Sequence, residues 1–210
     1  MHRLLNGWRT FVLLLTVSLG AGCSSFSYSP AYAASYPPVA IRTGLAIRRG
    51  KDLRSPDQIT PNWCKPAEPI VARALADEVR HANLFDRVEI HARTVNPQKY
   101  PTIVACDVLK FDCVNKASVF EHGGRTMLQM LGIRGNLIAA SIPSEYTSHV
   151  EIQFEVLDTT SGRPKFTTTY RVQRTRSVNR YQGKTPLMQQ TSAALEDVLA
   201  QFIHDLAGLR

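Results

Sequence analysis

The chain has 210 residues, 44% of them hydrophobic and 20% charged, and its formal net charge is +8. This length suits one domain behind a leader, and the composition excludes a disordered or fibrous chain. A basic charge often indicates nucleic acid, but the leader described next directs the chain out of the cytoplasm, so we expect no nucleic acid. Anionic lipid headgroups, lipid A phosphates and acidic glycans are the acidic partners within reach, and a solvated basic surface without a partner is the alternative.

Residues 1–22 predict a signal peptide. A positive start precedes "FVLLLTVSLG", an apolar core too short to span a bilayer as a mature helix. Small residues then lead into Cys23, and this end resembles the lipobox of bacterial lipoproteins, in which the cysteine is lipidated and becomes the new N-terminus. The resemblance implies that Cys23 is a palmitate-bearing lipid anchor, although Gly20 stands where the lipobox usually has Leu.

Two alternatives to this anchor are open in the sequence. The stretch "AYA" at residues 31–33 also fits a small-x-small cleavage rule, but it lies far beyond the apolar core. An ordinary secreted protein with a spare cysteine is the second alternative. Ser24 follows the cysteine where Asp would resemble the signal for inner-membrane retention, so we expect a lipid-anchored protein of the outer membrane that faces the periplasm.

Residues 23–38 predict a lipidated tether. The stretch "SSFSYSPAYAASYPP" is rich in Ser, Pro, Ala and Tyr and has no apolar period, so it is not expected to bury enough surface to offset its chain entropy. Residues 39–210 then predict a single periplasm-facing domain with a modest core.

The predicted elements of this domain alternate between strand and helix periods. Strands are expected over 39–47, 84–92, 101–114, 148–158 and 166–176, and amphipathic helices over 67–83 and 186–206. The clearest strand, "SHVEIQFEVLD", alternates apolar and polar residues and turns back through "TTSGRPK". The pattern predicts an α+β fold, with a mostly antiparallel, mostly hairpin-connected sheet of about five strands and two helices packed on one face.

The order of these elements carries a family resemblance. A helix ending in "ALADEVRHANLFDRVEI", a strand opening with "PTIVACDVLKF", the hairpin "VEIQFEVLDTTSGRPKFTTTYRV" and a closing amphipathic helix resemble the ABC-type transport auxiliary lipoprotein component family of Gram-negative envelopes. The resemblance covers residues 66–206 and the lipobox. It implies an adaptor or scaffold in envelope transport or surface-polymer export, with transport or export proteins as partners and a homo-oligomer as an expected assembly, rather than an enzyme.

An apolar insertion near residues 120–147 departs from that family pattern. It contains "TMLQMLGIRGNLIAASIP", which is too interrupted for a transmembrane helix. In one interpretation it touches the membrane or a partner; in the other its apolar residues cover the second face of the sheet. The residues assigned to the contact are Met127, Leu131, Ile133, Arg134, Leu137 and Ile138.

Three cysteines remain beside the anchor. Cys106 and Cys113 are seven residues apart on one predicted strand, so a regular strand places them on opposite faces and prevents a bridge between them. In the oxidising envelope we favour a disulfide between Cys64 and Cys113, because a strand end is more accessible than its middle. Buried free thiols are the alternative. No C-x-x-C and no His at ligand spacing accompany these cysteines, so we expect no metal site.

The catalytic motifs are incomplete. "HGGR" at residues 122–125 resembles the oxyanion loop of lipases, but no G-x-S-x-G supplies a nucleophile, and "GLAIRRGK" has the wrong spacing for a P-loop. We therefore expect no enzyme, no catalytic residue and no cofactor. A lipid-anchored envelope adaptor is the predicted function, and a periplasmic binding module for an anionic lipid or glycan is the alternative.

Overall fold

The structure is a computed structural model, and it describes residues 26–32, 34–36, 41–56, 66–91, 95–115, 127, 130, 143–178 and 185–209. Its elements in chain order are β1 (Ile41–Asp52), α1 (Glu68–His81), β2 (Phe85–His91), β3 (Thr102–Asn115), β4 (Ser144–Asp158), β5 (Pro164–Val178) and α2 (Thr185–Gly208). Every predicted strand and helix of the domain is present, and β4 starts four residues earlier than its alternation suggested, within the predicted insertion.

The five strands form one mixed sheet in the order β2-β1-β3-β4-β5. β1 is parallel to both β2 and β3, whereas β3 pairs with β4 and β4 with β5 in antiparallel fashion. The longest ladders are the antiparallel ones, and the predicted α+β class is confirmed. The expectation of mostly hairpin connections is wrong for the first half of the chain, because α1 carries the chain from β1 back to a parallel β2.

The core lies between one face of the sheet and both helices. Val150, Ile152 and Phe154 alternate along β4 toward the helices and are fully buried, while the residues between them face the other side. On α2, Phe202 stacks on Phe154 with ring centroids 4.1 Å apart, and Tyr170 of β5 meets both rings edge-on. These stacked and edge-on rings bury a large apolar area between α2, β4 and β5, so the cluster fixes α2 on the antiparallel half of the sheet.

Helix α1 covers the parallel half of the same face. Its buried residues Val71, Leu75 and Val79 recur at helical spacing, and Pro69 stands in its first turn, where no hydrogen-bond donor is needed. These residues and those of α2 belong to one continuous core. Within the part of the chain that the structure describes, neither helix is long and apolar enough to cross a membrane.

Candidate functional site

One end of the sheet gathers several chain segments. At this end β3 finishes, β4 begins and β5 finishes, as the register pairs Asn115–Tyr146 and Ser144–Val178 require, whereas β1 already ends opposite Val108. The start of α2 is fixed to the same end, because the amide of Gln190 donates to the backbone carbonyl of Tyr146. We call this the strap end, after the segment described next.

The described residues of the predicted tether, 26–32 and 34–36, lie across both helices. We call them the N-terminal strap. Phe26 is only 5% exposed and meets the ring of Phe111 on β3 edge-on, with centroids 5.3 Å apart. Ser29 and Ala31 donate their backbone N–H groups to the side chains of Ser192 and Glu196 on α2 at 3.2 and 2.9 Å. A free tether is therefore not what these residues form: they are part of the folded domain from Phe26 onward.

A buried carboxylate holds the strap to α1. Glu78 is fully buried, and its two oxygens accept hydrogen bonds from the hydroxyls of Tyr28 at 2.7 Å and Tyr36 at 3.2 Å. Between these tyrosines, Tyr32 lies against His81 at the end of α1, with ring centroids 4.4 Å apart. A buried carboxylate is costly unless hydrogen bonds satisfy it, so the strap and Glu78 depend on each other.

The electrostatics of this site follow from burial. Burial and the neighbouring Glu78 carboxylate raise the pKa of Tyr28 and of Tyr36 well above the ordinary value of 10.0, because both disfavour a phenolate. The tyrosine hydroxyls therefore stay protonated and donate across the whole physiological range. We call Tyr28, Tyr36 and Glu78 the clasp, because their hydrogen bonds hold the strap to α1 and nothing about them indicates proton transfer.

The strap sets the position of the predicted anchor. Cys23 lies outside the described residues, and its lipidation stays a prediction. Only Ser24 and Ser25 separate it from Phe26, whose position against Phe111 is fixed. A lipid on Cys23 would therefore be joined to the body of the domain at the strap end, with no long connection between them.

The insertion is described at two positions. Met127 and Met130 are 74% and 80% exposed. Of the predicted contact residues, Leu131, Ile133, Arg134, Leu137 and Ile138 lie outside the described residues. The insertion leaves the sheet after Asn115 and returns before Ser144, so both of its connections are at the strap end.

The cysteines are only partly described. Cys106 is buried, which raises the pKa of its thiol to about 12, and burial also raises the pKa of the half-buried Cys113. Both carry free thiols in the described part of the chain, and Cys64 lies outside it. The pairing of Cys64 with Cys113 stays a prediction. Both described thiols resist ionisation, which makes them poor nucleophiles at neutral pH.

The second face of the sheet carries a shallow polar groove of about 440 Å³. Its charged lining residues are Arg48, Arg49, Lys51, Asp107 and Glu155. Two contacts order it: the Arg48 guanidinium lies 3.8 Å from the Glu155 carboxylate, and the backbone N–H of Lys51 donates to Asp107 at 2.7 Å. Three cations thus face two carboxylates, an arrangement suited to a polar or anionic group. The described residues contain no cluster of His, Cys, Asp and Glu suited to a metal ion.

The sequence analysis missed the residues that build the clasp. Nothing in the composition singled out Glu78, which sits on the predicted polar side of α1, or Glu196 on α2. One signal was present: the aromatic residues of the strap occupy even-numbered positions, at 26, 28, 32 and 36. Regularly spaced aromatics in an uncharged stretch are atypical of a solvated linker.

No protein-family model matches the sequence, and no curated protein matches it either. Among solved structures, a protein of the DUF330 family from Xanthomonas campestris is similar with a TM-score of 0.56 at 12% identity, over 89% of this chain and 96% of that one. A protein described as a homolog of neuraminyllactose-binding hemagglutinin from Helicobacter pylori follows with a TM-score of 0.50 at 7% identity, over 84% and 90%. The chain shares their fold.

A third similar structure is a PelC dodecamer from Paraburkholderia phytofirmans. It covers 80% of this chain and 93% of its own at 17% identity, with a TM-score of 0.44. At these identities the likeness concerns the fold alone. The arguments on function below therefore rest on the residues of this chain.

Proposed function

We propose that the protein is a lipid-anchored adaptor or scaffold of the cell envelope, an auxiliary component of a transport or export machine without catalysis of its own. The observation that carries the proposal is the N-terminal strap. Cleavage before Cys23 leaves the strap whole. Cleavage after Ala33 would remove Phe26 and Tyr28 and leave Glu78 with one hydroxyl donor fewer. The fold therefore favours the lipobox over the rival cleavage site.

The adaptor part of the proposal draws on what the domain presents. The two described thiols, one buried and one half-buried, have raised pKa values, which suits a scaffold better than an enzyme with a cysteine nucleophile. The two exposed methionines offer apolar contact area on an insertion whose two connections are at the strap end. The outer-membrane address continues to rest on Ser24 and is part of the proposal.

Metabolic labelling tests the anchor. The full-length protein, expressed in a Gram-negative host with an alkyne-bearing palmitate analogue, is expected to label, and Cys23→Ser is expected not to. Mass spectrometry of the mature N-terminus should give an acylated Cys23. An unlabelled protein that begins at residue 34 would contradict the proposal directly.

Purification tests the adaptor role. From detergent-solubilised envelopes, the full-length protein is expected to co-purify with a permease and an ATPase subunit, and Met127→Gln with Met130→Gln should weaken the association. Leu209→Gln, a change of another exposed apolar side chain at the opposite end of the sheet, serves as the matched control. Co-purification that is the same for all three proteins would remove the insertion from the contact.

The polar groove favours a second candidate function, a binding module for an anionic lipid or glycan. Its cations Arg48, Arg49 and Lys51 line one side of the groove. Binding of anionic vesicles or acidic oligosaccharides to the unlipidated domain should then fall with salt and with Arg49→Glu, because screening acts on exposed charge. Binding that is insensitive to both changes would dismiss this candidate.

A further inference from the structure

We propose that the strap end of the domain lies in the membrane interface, with the exposed side chain of Val114 in contact with lipid. The inference rests on the proposed lipid anchor and adds to it: the anchor does not hold the domain at a distance but sets one defined end of the sheet against the bilayer.

The first argument is the length of chain between the anchor and the fold. Three Cα–Cα steps connect Cys23 to Phe26, and a fully extended chain covers about 11 Å in three steps. Phe26 cannot move away to lengthen the connection, because its ring is buried against Phe111 and the strap residues after it are bound to both helices. A lipid inserted in the bilayer therefore keeps Phe26 within about 11 Å of the lipidated residue, which is close to the headgroup layer of about 5–8 Å on each side of the bilayer.

The second argument is the placement of the exposed apolar side chains. Val114 is 46% exposed near the end of β3, opposite Thr147, and lies at the strap end. Leu53 is 51% exposed, but its N–H donates to the carbonyl of Val108, so it lies nearer the middle of the sheet. Met127 and Met130, which are more exposed still, belong to the insertion whose two connections are at that same end.

The opposite end provides a contrast. Leu209, which follows α2 at the other end of the sheet, is exposed to a similar degree, at 42%, but it is separated from the anchor by the length of the helix. A helix of 24 residues spans roughly 36 Å at 1.5 Å per residue. Leu209 is therefore a matched control: a large apolar side chain, similarly exposed, on the side of the domain that faces away from the anchor.

The bilayer is the occupant that these observations favour over a second copy of the chain. The anchor holds the domain at the bilayer, so even the modest apolar area of a half-exposed side chain meets lipid at a high effective concentration. A contact between two copies of the chain does not gain from this effective concentration. The membrane contact is thus a consequence of the connection length together with the exposed side chains.

Tryptophan quenching tests the proposal. The mature chain has a single tryptophan, Trp63, so Val114→Trp and Leu209→Trp each add one fluorophore to the same background. The lipidated proteins are reconstituted into phosphatidylethanolamine–phosphatidylglycerol vesicles that contain a phosphatidylcholine brominated on its acyl chains. We expect the bromines to quench the added Trp at 114 about twofold more than the one at 209, because only the former reaches the interface.

A linker variant isolates the role of the strap. A flexible Gly-Ser segment of about ten residues between Ser25 and Phe26 adds a coil with an end-to-end distance of about 17 Å. Flotation with the vesicles should be unchanged, while the extra quenching at 114 should fall. Unchanged quenching at 114 would overturn the argument from connection length.

The remaining outcomes separate this inference from the proposed function. Equal quenching at 114 and 209 in protein that floats would overturn the membrane contact and leave the lipid anchor standing. A Trp at 114 whose emission shifts to the blue without bromine quenching would mean that protein covers the strap end, which also overturns it. If the full-length protein from a Gram-negative host carries no acyl chain and does not float with the vesicles, the proposed anchor itself is wrong.

Discussion

Glu78 is a carboxylate in an apolar setting, and the strap supplies the donors that make this tolerable. Each of its oxygens accepts one tyrosine hydroxyl, from Tyr28 and from Tyr36. Hydrogen bonds to charged groups contribute about 1.5–3 kcal/mol, and a buried acceptor that loses its donor costs a similar amount. Two tyrosines of an otherwise plain sequence therefore contribute to the stability of the whole domain.

Tyr28→Phe is expected to lower the free energy of unfolding by about 1–3 kcal/mol, because it removes the shorter of the two bonds to a fully buried carboxylate. Tyr36→Phe should cost less, since its bond is longer. Urea unfolding of the unlipidated domain measures both. Tyr32→Phe is the matched control, because the Tyr32 ring lies on His81 and its hydroxyl makes no hydrogen bond in the described part of the chain. Equal effects of all three changes would contradict the clasp.

Because of these tyrosines, we expect the folded protein to lose stability at alkaline pH. Their pKa values are raised above 10.0 in the folded protein, so above pH 10 the unfolded chain loses protons that the folded one retains. The stabilisation is complete below pH 10 and is lost as the pH rises beyond it. Thermal unfolding between pH 8 and about 11 should show the melting temperature fall more steeply for the wild type than for Tyr28→Phe with Tyr36→Phe.

A residual fall is expected in that double variant. Tyr170 donates to Asp205 on α2, and burial together with this carboxylate raises its pKa as well. A pH profile of the double variant that coincides with that of the wild type would show that the clasp tyrosines do not titrate as their surroundings require.

At the scale of elements, periodicity predicted the strands and helices but not how the strands pair. The hairpin of β4 and β5 was evident, because alternating residues such as Ile152 and Phe154 define a dry face and a short turn leaves only an antiparallel return. The first half offers no such constraint: a strand, a helix and a strand are compatible with more than one order, and the parallel placement of β2 beside β1 depends on where α1 packs. The bulge in β1 is likewise invisible to a period of two. The length of the strand predicted over 101–114 already indicates a bulge or bend, and β3 has one between Val108 and Lys110.

The insertion yields a prediction at this scale. Replacing both Met127 and Met130 with Gln should change the melting temperature of the unlipidated domain by less than about 2 °C, since exposed side chains contribute within about 0.5 kcal/mol. Leu195→Ala, on the buried face of α2, should instead cost about 2–5 kcal/mol. Calorimetry of the three proteins checks this. A large loss of stability in the methionine variant would assign the insertion to the core.

At the scale of the whole molecule, the strap binds the last helix, α2, so segments from near the two ends of the sequence are in contact. Composition alone predicted a tether, because Ser, Pro and Ala bury little surface and no apolar period is present. Tertiary contacts override composition here: Phe26 joins the core against Phe111, and side chains on both helices accept hydrogen bonds from the strap. None of these partners is adjacent to the strap in sequence, so no local pattern reveals them.

Deletion of residues 24–36 from the unlipidated domain should therefore lower the free energy of unfolding by at least about 3 kcal/mol, the cost of losing one buried phenylalanine. Deletion of Ser24 and Ser25 alone is the matched control and should leave stability unchanged. Urea denaturation compares the two. If the domain without residues 24–36 is as stable as the control, the segment does not contribute to the fold and is a tether.

The strap also fixes an order of events. With the proposed signal and anchor, the strap would be among the first parts of the mature chain to leave the inner membrane, yet its partners Ser192 and Glu196 follow 163 and 165 residues later. The strap would find these partners only after α2 has crossed and folded, because both of them lie on that last helix. Until then, the proposed processing and acylation of Cys23 would act on a segment that α2 does not yet hold. The proposed anchor therefore implies that acylation precedes closure of the strap.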